Sequence, residues 1–131
     1  MTKTYSALGE RMEMRTLENG LRICYLPKEG FSKTFAILAT DFGSVDASFT
    51  FEGKRYDTPA GVAHFLEHKM FEDEDGNALQ KFARTGASPN AFTSHTMTAH
   101  HSSCTDRSAE NPESLPKLVF TPYLTEEYRA S

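Results

Sequence analysis

Tryptophan is absent from this sequence, and no stretch of it is apolar for long enough to cross a bilayer as a helix. Cationic charge is also scarce. Fourteen Lys and Arg stand against eighteen Asp and Glu, for a formal net charge of -4, and they form no basic run. That distribution offers no electrostatic footprint for nucleic acid or for an anionic membrane, so neither is expected as a partner. The two cysteines, Cys24 and Cys104, make no disulfide framework. Each is expected to be a buried or partly buried thiol in a reducing compartment. The opening residues MTKTYSALGERMEMR lack the apolar core of a secretory signal, which gives a cytoplasmic location as the expectation.

What is present is enough for a packed core. Hydrophobic residues make up 38% of the 131, with ten Phe and five Tyr among them. A chain of this length fits one domain over residues 1–131 and buries about two-thirds of its unfolded surface.

Strand signals dominate the first part. Residues 12–27 read as two strands flanking Asn19-Gly20, a dipeptide suited to the positive φ angles of a tight hairpin turn. Residues 34–42 form a third strand, and the alternation of Ala47, Phe49 and Phe51 supports a short fourth. Thr58-Pro59 then reads as a helix start, a hydroxyl N-cap followed by proline at the first helical position, with the helix running to about Phe71. A second helix is predicted over residues 75–84 and ended by Gly86. Residues 88–93 and 96–105 read as strands, the first at a sheet edge because Pro89 has no N–H for a ladder. An apolar helical pattern over residues 111–122 is interrupted by Pro116, so a last helix is predicted to start near there.

The chemistry concentrates in His64-Phe65-Leu66-Glu67-His68. Four helical steps advance about 400°, so His64 and His68 project from one face and both imidazoles reach a single ion. Glu67 lies to one side, near enough to serve water on that ion without being a ligand. Zinc suits two neutral imidazoles and a carboxylate, and its catalytic sites keep one position open for water. The metal acidifies that water, and a nearby carboxylate accepts its proton as it attacks a carbonyl. Val62, Phe65, Leu66 and Met70 are expected on the opposite side, buried against the sheet. The plainer reading is a helix with ordinary histidines and Glu67 as an ion-pair partner. Shuffling this composition yields the pentapeptide in roughly one chain in sixty, so its surroundings must decide.

Those surroundings extend the pattern. His-x-x-Glu-His is the inverzincin motif. The run from Ala60 to His68, then Leu79-Gln80-Lys81-Phe82-Ala83, the run from Gly86 to Thr93, Ser103-Cys104-Thr105-Asp106 and Pro122-Tyr123-Leu124-Thr125 all resemble the pitrilysin and insulinase family of zinc metallopeptidases. The likeness spans most of residues 20–127 and is closest to bacterial intracellular members. It implies an α+β fold with helices packed on one face of a sheet, here the N-terminal portion of a peptidase domain cut short at its C-terminus. By match of motif, His64 and His68 would ligate Zn2+ and Glu67 would activate water. Asn90 and Ala91 match family positions on an edge strand that contact the backbone of a peptide substrate bound as an added strand. Taken from its residue type alone, Asn90 is a strand-edge amide bonding its own backbone.

Two departures bear on function. The family's third ligand is a glutamate that falls beyond Ser131. Glu126 and Glu127 come too early to be that residue and read as first-turn acids of a helix. A family aromatic is replaced by His100, beside His101, and adjacent strand residues point to opposite faces, so at most one of the two can approach a metal. His95 is given no role. The resemblance implies a second peptidase-like domain or subunit, and exposed apolar surface favours a homo-oligomer. The main expectation is a zinc-dependent endopeptidase domain that is inactive as this chain alone. The alternative is a non-catalytic binding or assembly subunit of the same fold.

Overall fold

The computed structural model of the chain describes residues 1–73, 76–77 and 86–105. The chain divides into two compact units, Met1–Phe31 and Ser32–Ser131.

The first unit is a three-stranded antiparallel sheet in the order β1-β2-β3, from β1 (Thr2–Tyr5), β2 (Glu10–Thr16) and β3 (Arg22–Tyr25). A 3-10 turn at Ser6–Leu8 joins the first two strands, and Gly9 ends it in the left-handed conformation. Asn19-Gly20 closes the second hairpin as expected: Gly20 has φ +85°, and Asn19 Oδ1 accepts the N–H of Leu21 at 3.1 Å. β1 escaped the sequence reading because Thr-Lys-Thr-Tyr carries no apolar alternation. Cys24 is exposed, which corrects the expectation of a buried thiol; Cys104 is buried.

In the second unit the chain runs through β4 (Thr34–Thr40), β5 (Ser48–Phe51), β6 (Lys54–Asp57) and α1 (Val62–Lys69). The two-residue strands β7 (Glu72–Asp73) and β8 (Gly76–Asn77) follow, then β9 (Ala87–Thr93) and β10 (Thr98–Cys104). β10 lies between β4 and β9, antiparallel to both, with His101 opposite Ile37 on one side and Asn90 on the other. β9 is therefore an outer strand of this sheet among the described residues, as Pro89 required. Gly76–Asn77 pairs with Glu72–Asp73, so the helix expected over 75–84 does not begin there. The rest of that helix, and the one over 111–122, lie outside the described residues.

The fourth strand signal is one arm of a hairpin, β5 with β6, turned by Glu52 and Gly53 at φ +48° and +77°. Two successive positive φ angles make a turn whose twist matches the strands it joins. Stacked Phe49 and Tyr56 rings (5.6 Å) line the hairpin, and Phe42 meets Phe49 edge-on at 5.5 Å. Ser48 Oγ and the Arg55 guanidinium both donate to Asp57 and hold its carboxyl below the usual range.

The helix starts three residues later than expected, with Gly61 in place of Thr58 as its N-cap. The Thr58 hydroxyl and N–H both donate to the Ala47 carbonyl, at 3.0 and 2.7 Å, so the side chain is committed to the hairpin base and caps nothing. Gly61, at φ +89°, makes the entry. The buried face also differs from expectation. Ala63 and Glu67 are buried while Phe65 is 41% exposed, with Val62, Leu66 and Met70 half-buried. α1 packs on β9 and β10 through that face, and a small residue there permits close approach.

Gly43, just beyond β4, sits under the turn joining β9 to β10. A Cβ at this position would lie 2.5 Å from the His95 carbonyl carbon and 2.6 Å from the Met97 nitrogen. Both are backbone atoms held by the Ser94–Met97 turn, where Ser94 N donates to Met97 O at 2.8 Å, so they cannot swing aside. Gly43→Ala is expected to cost about 1–3 kcal/mol through overpacking. Thermal unfolding of the purified variant measures it, and an unchanged midpoint would show that the turn yields.

Candidate functional site

His64, Glu67 and His68 stand on two faces of α1. His64 and His68, one turn apart, are exposed, and their Nε2 atoms stand 3.0 Å from each other with ring centroids at 4.7 Å. Two nitrogens bound to one tetrahedral zinc at ~2.0–2.1 Å would stand ~3.3 Å apart. The observed separation is close to that, so the donor pair fits such an ion with little movement. No group of three or more His, Cys, Asp or Glu able to hold a metal occurs among the described residues.

Glu67 faces inward and is 9% exposed. Its Oε2 accepts the Thr93 hydroxyl at 2.5 Å. Thr93 stands opposite Thr98 in the β9–β10 register, and the two hydroxyl oxygens are 3.5 Å apart. Thr98 in turn donates to the Phe42 carbonyl at 2.8 Å. This row of hydroxyls links α1 to the end of β4. Thr93 was not singled out by the sequence; a threonine 26 positions from Glu67 gives no signal until the strand register is known.

On the outer strand, Ala91 shares the helix-side face with Thr93, and Asn90 points the other way with His101. Asn90 Oδ1 accepts the N–H of Ala91 at 2.8 Å, the self-bonding expected of a strand-edge amide. His100 and His101 take opposite faces. His101 is half-buried near Phe35 and Phe92, at 5.4 and 6.5 Å. His100 is 4% exposed against Phe71 (5.5 Å), and its Nε2 has no hydrogen-bond partner. Burial lowers its pKa from the ordinary 6.5, opposed by hydrogen bonding to the Glu67 backbone and by the Glu67 charge.

Residues 49–120 match the family described as Insulinase (Peptidase family M16). The chain belongs to the M16 family. It is 46% identical over 125 residues to YmfH of Bacillus subtilis strain 168, described as an uncharacterized zinc protease, covering 94% of this chain and 29% of that one. A crystal structure from Alicyclobacillus acidocaldarius, of a protein classed as an M16-like peptidase, superposes with a TM-score of 0.84 at 38% identity. The match covers 90% of this chain and 28% of that one. A protease from Helicobacter pylori shares the fold, with a TM-score of 0.72 at 23% identity over 91% of this chain and 28% of its own. The chain thus spans less than a third of the length of each of these proteins.

His100 gives a test within this M16 chain. Because its folded pKa lies below the unfolded value, the unfolded state binds a proton more readily. Stability is therefore full above about pH 6.5 and falls as pH drops from there towards the folded pKa. His100→Phe removes both that dependence and an unpaired buried nitrogen. Loss of the bond to the Glu67 backbone offsets part of that gain, so stability is expected to rise by about 1 kcal/mol at pH 7.5, with the gain growing as pH drops to 5.5. Unfolding midpoints across that range measure it, and parallel curves for the two proteins would contradict the assignment.

Proposed function

We propose that this chain is the N-terminal portion of a zinc-dependent metalloendopeptidase domain, with His64 and His68 as metal ligands and Glu67 as general base. The observation that carries the reading is the convergence of the two Nε2 atoms at 3.0 Å on a helix whose Glu67 carboxylate is held against the sheet by a hydroxyl. Zinc, when bound, supplies Lewis acidity towards the scissile carbonyl and towards water. Glu67 accepts the proton of the attacking water and returns it to the leaving amine, with Oε1 as the working oxygen because Oε2 accepts Thr93. A carboxylate from outside these 131 residues completes the ligand set, within an α+β domain whose helices cover one face of the sheet.

A peptide substrate is bound as an added strand on β9, where Asn90 and Ala91 lie. The Ala91 N–H is occupied by Asn90 Oδ1 in the free chain, so this reading requires the Asn90 amide to turn when a peptide arrives. On the sheet face away from α1, Phe35 and Ile37 are 59% and 52% exposed. That surface supports a second peptidase-like domain, subunit or copy as a partner. The enclosing location is read as cytoplasmic.

A form extended to supply the third ligand is expected to bind one zinc and cleave unstructured peptides. Glu67→Gln in that form should retain zinc and lose turnover by about 10²–10⁴-fold, since the amide keeps the shape and loses the proton acceptor. Metal analysis and peptide cleavage measure both. Full turnover in the variant would remove Glu67 from the role, and a folded, zinc-bound wild type without cleavage would favour a non-catalytic subunit.

The chain Met1–Ser131 alone should bind zinc weakly, self-associate and leave peptides uncut, because two imidazoles fix neither affinity nor geometry. Zinc titration, sedimentation and a cleavage assay test this. Cleavage abolished by Glu67→Gln would mean that a residue inside the chain completes the site.

A further inference from the structure

The hydroxyl of Thr93 makes a contact that a strand threonine does not need for its own sake. Thr93 lies at the last position of β9, on the helix-side face, where a valine would fit the pleat equally well. Its one hydroxyl proton goes to Glu67 Oε2 at 2.5 Å. Thr98, its register partner, gives its own proton to the Phe42 carbonyl at 2.8 Å, and its oxygen stands 3.5 Å from Thr93 Oγ1, at the limit of a hydrogen bond. Glu67 Oε2, a charged acceptor an ångström nearer, therefore takes the Thr93 proton. The Ser94–Met97 turn fixes the strand end from the other side: Ser94 N donates to Met97 O at 2.8 Å, and Ser94 Oγ to the same carbonyl at 3.0 Å. A β-branched side chain on a backbone so held has few rotamers to choose from.

Glu67 is the opposite case, a side chain with three rotatable bonds reaching from a helix. We propose that Thr93 is a positioning residue for Glu67: its hydroxyl fixes one carboxylate oxygen against the sheet and thereby aims the other at the face bearing His64 and His68. The proposal rests on the reading of Glu67 as general base. It assigns Thr93 no contact with substrate or metal. Its effect falls on the proton transfer, where an ångström of misplacement matters most.

A structural role and a positioning role order the variants differently. Thr93→Val keeps shape and strand preference and removes the hydroxyl; Thr93→Ser keeps the hydroxyl and removes the methyl. In the form extended to supply the third ligand, Thr93→Val is expected to lower kcat about 10–100-fold. KM and zinc affinity should stay within about two-fold, and Thr93→Ser should recover most of kcat. A Val variant with wild-type kcat, or a Ser variant as impaired as Val, overturns the proposal. A readout independent of turnover comes from a thermal cycle on the 131-residue chain with Thr93→Val and Glu67→Leu. Thr93→Val should lower the midpoint by roughly 5 °C alone and by less than about 2 °C when Glu67 is already Leu. Equal losses in both backgrounds mean that the hydroxyl does not act on Glu67, and they also overturn it. Should the extended wild type cleave nothing, the peptidase reading fails and takes the catalytic consequence with it. The thermal cycle then decides on the Thr93–Glu67 contact by itself.

Discussion

A carboxylate placed between a helix and a sheet must be given a donor, and much of the second unit can be understood from that need. Removing an ionised carboxylate from water costs several kcal/mol unless hydrogen bonds replace the lost hydration. Glu67 meets the need through Thr93, which stands where it does because β9 and β10 pair with Thr93 opposite Thr98. Thr98 is anchored to Phe42 at the end of β4, and the turn between the two strands sits down on Gly43, where no side chain intervenes. Helix, hairpin and first strand of the sheet thus meet around one charged group.

This explains why α1 is held as it is. An ordinary amphipathic helix buries its large apolar residues and shows its charges. Here Ala63 and Glu67 are the buried pair and Phe65 stays 41% exposed. Ala63 brings little apolar surface to that face, so a polar contact has more to do there than it would under a leucine-lined helix. The same inversion sorts the motif by face, with both imidazoles outward and Glu67 Oε2 held inward on Thr93.

The local signals were legible where a residue type has one physical use. Asn19-Gly20 announced its hairpin, Pro89 its outer strand, and the four-residue spacing of His64 and His68 their shared face. Signals failed where a residue had two uses. Thr58 has the chemistry of an N-cap, yet it bonds Ala47, a partner eleven positions back, and Gly61 starts the helix instead. Glu52-Gly53 turns a hairpin although glutamate rarely accepts a positive φ, so the second arm of that hairpin went unread. Thr93 was invisible because its partner is fixed by register, a property of two strands and a helix together. The family resemblance rested on runs of residues rather than on any of these contacts, which is why it survived their misreading.

The outward placement of His64 and His68 bears on which metal this chain would carry when isolated. An exposed imidazole pair one turn apart is an open chelator, and on two nitrogens alone nickel and copper bind more tightly than zinc. Selectivity for zinc cannot reside in such a pair. It must come from the ligand that closes the coordination shell and from the metals in supply, so preparation on an immobilised-metal resin would load the helix with whatever ion the column sheds.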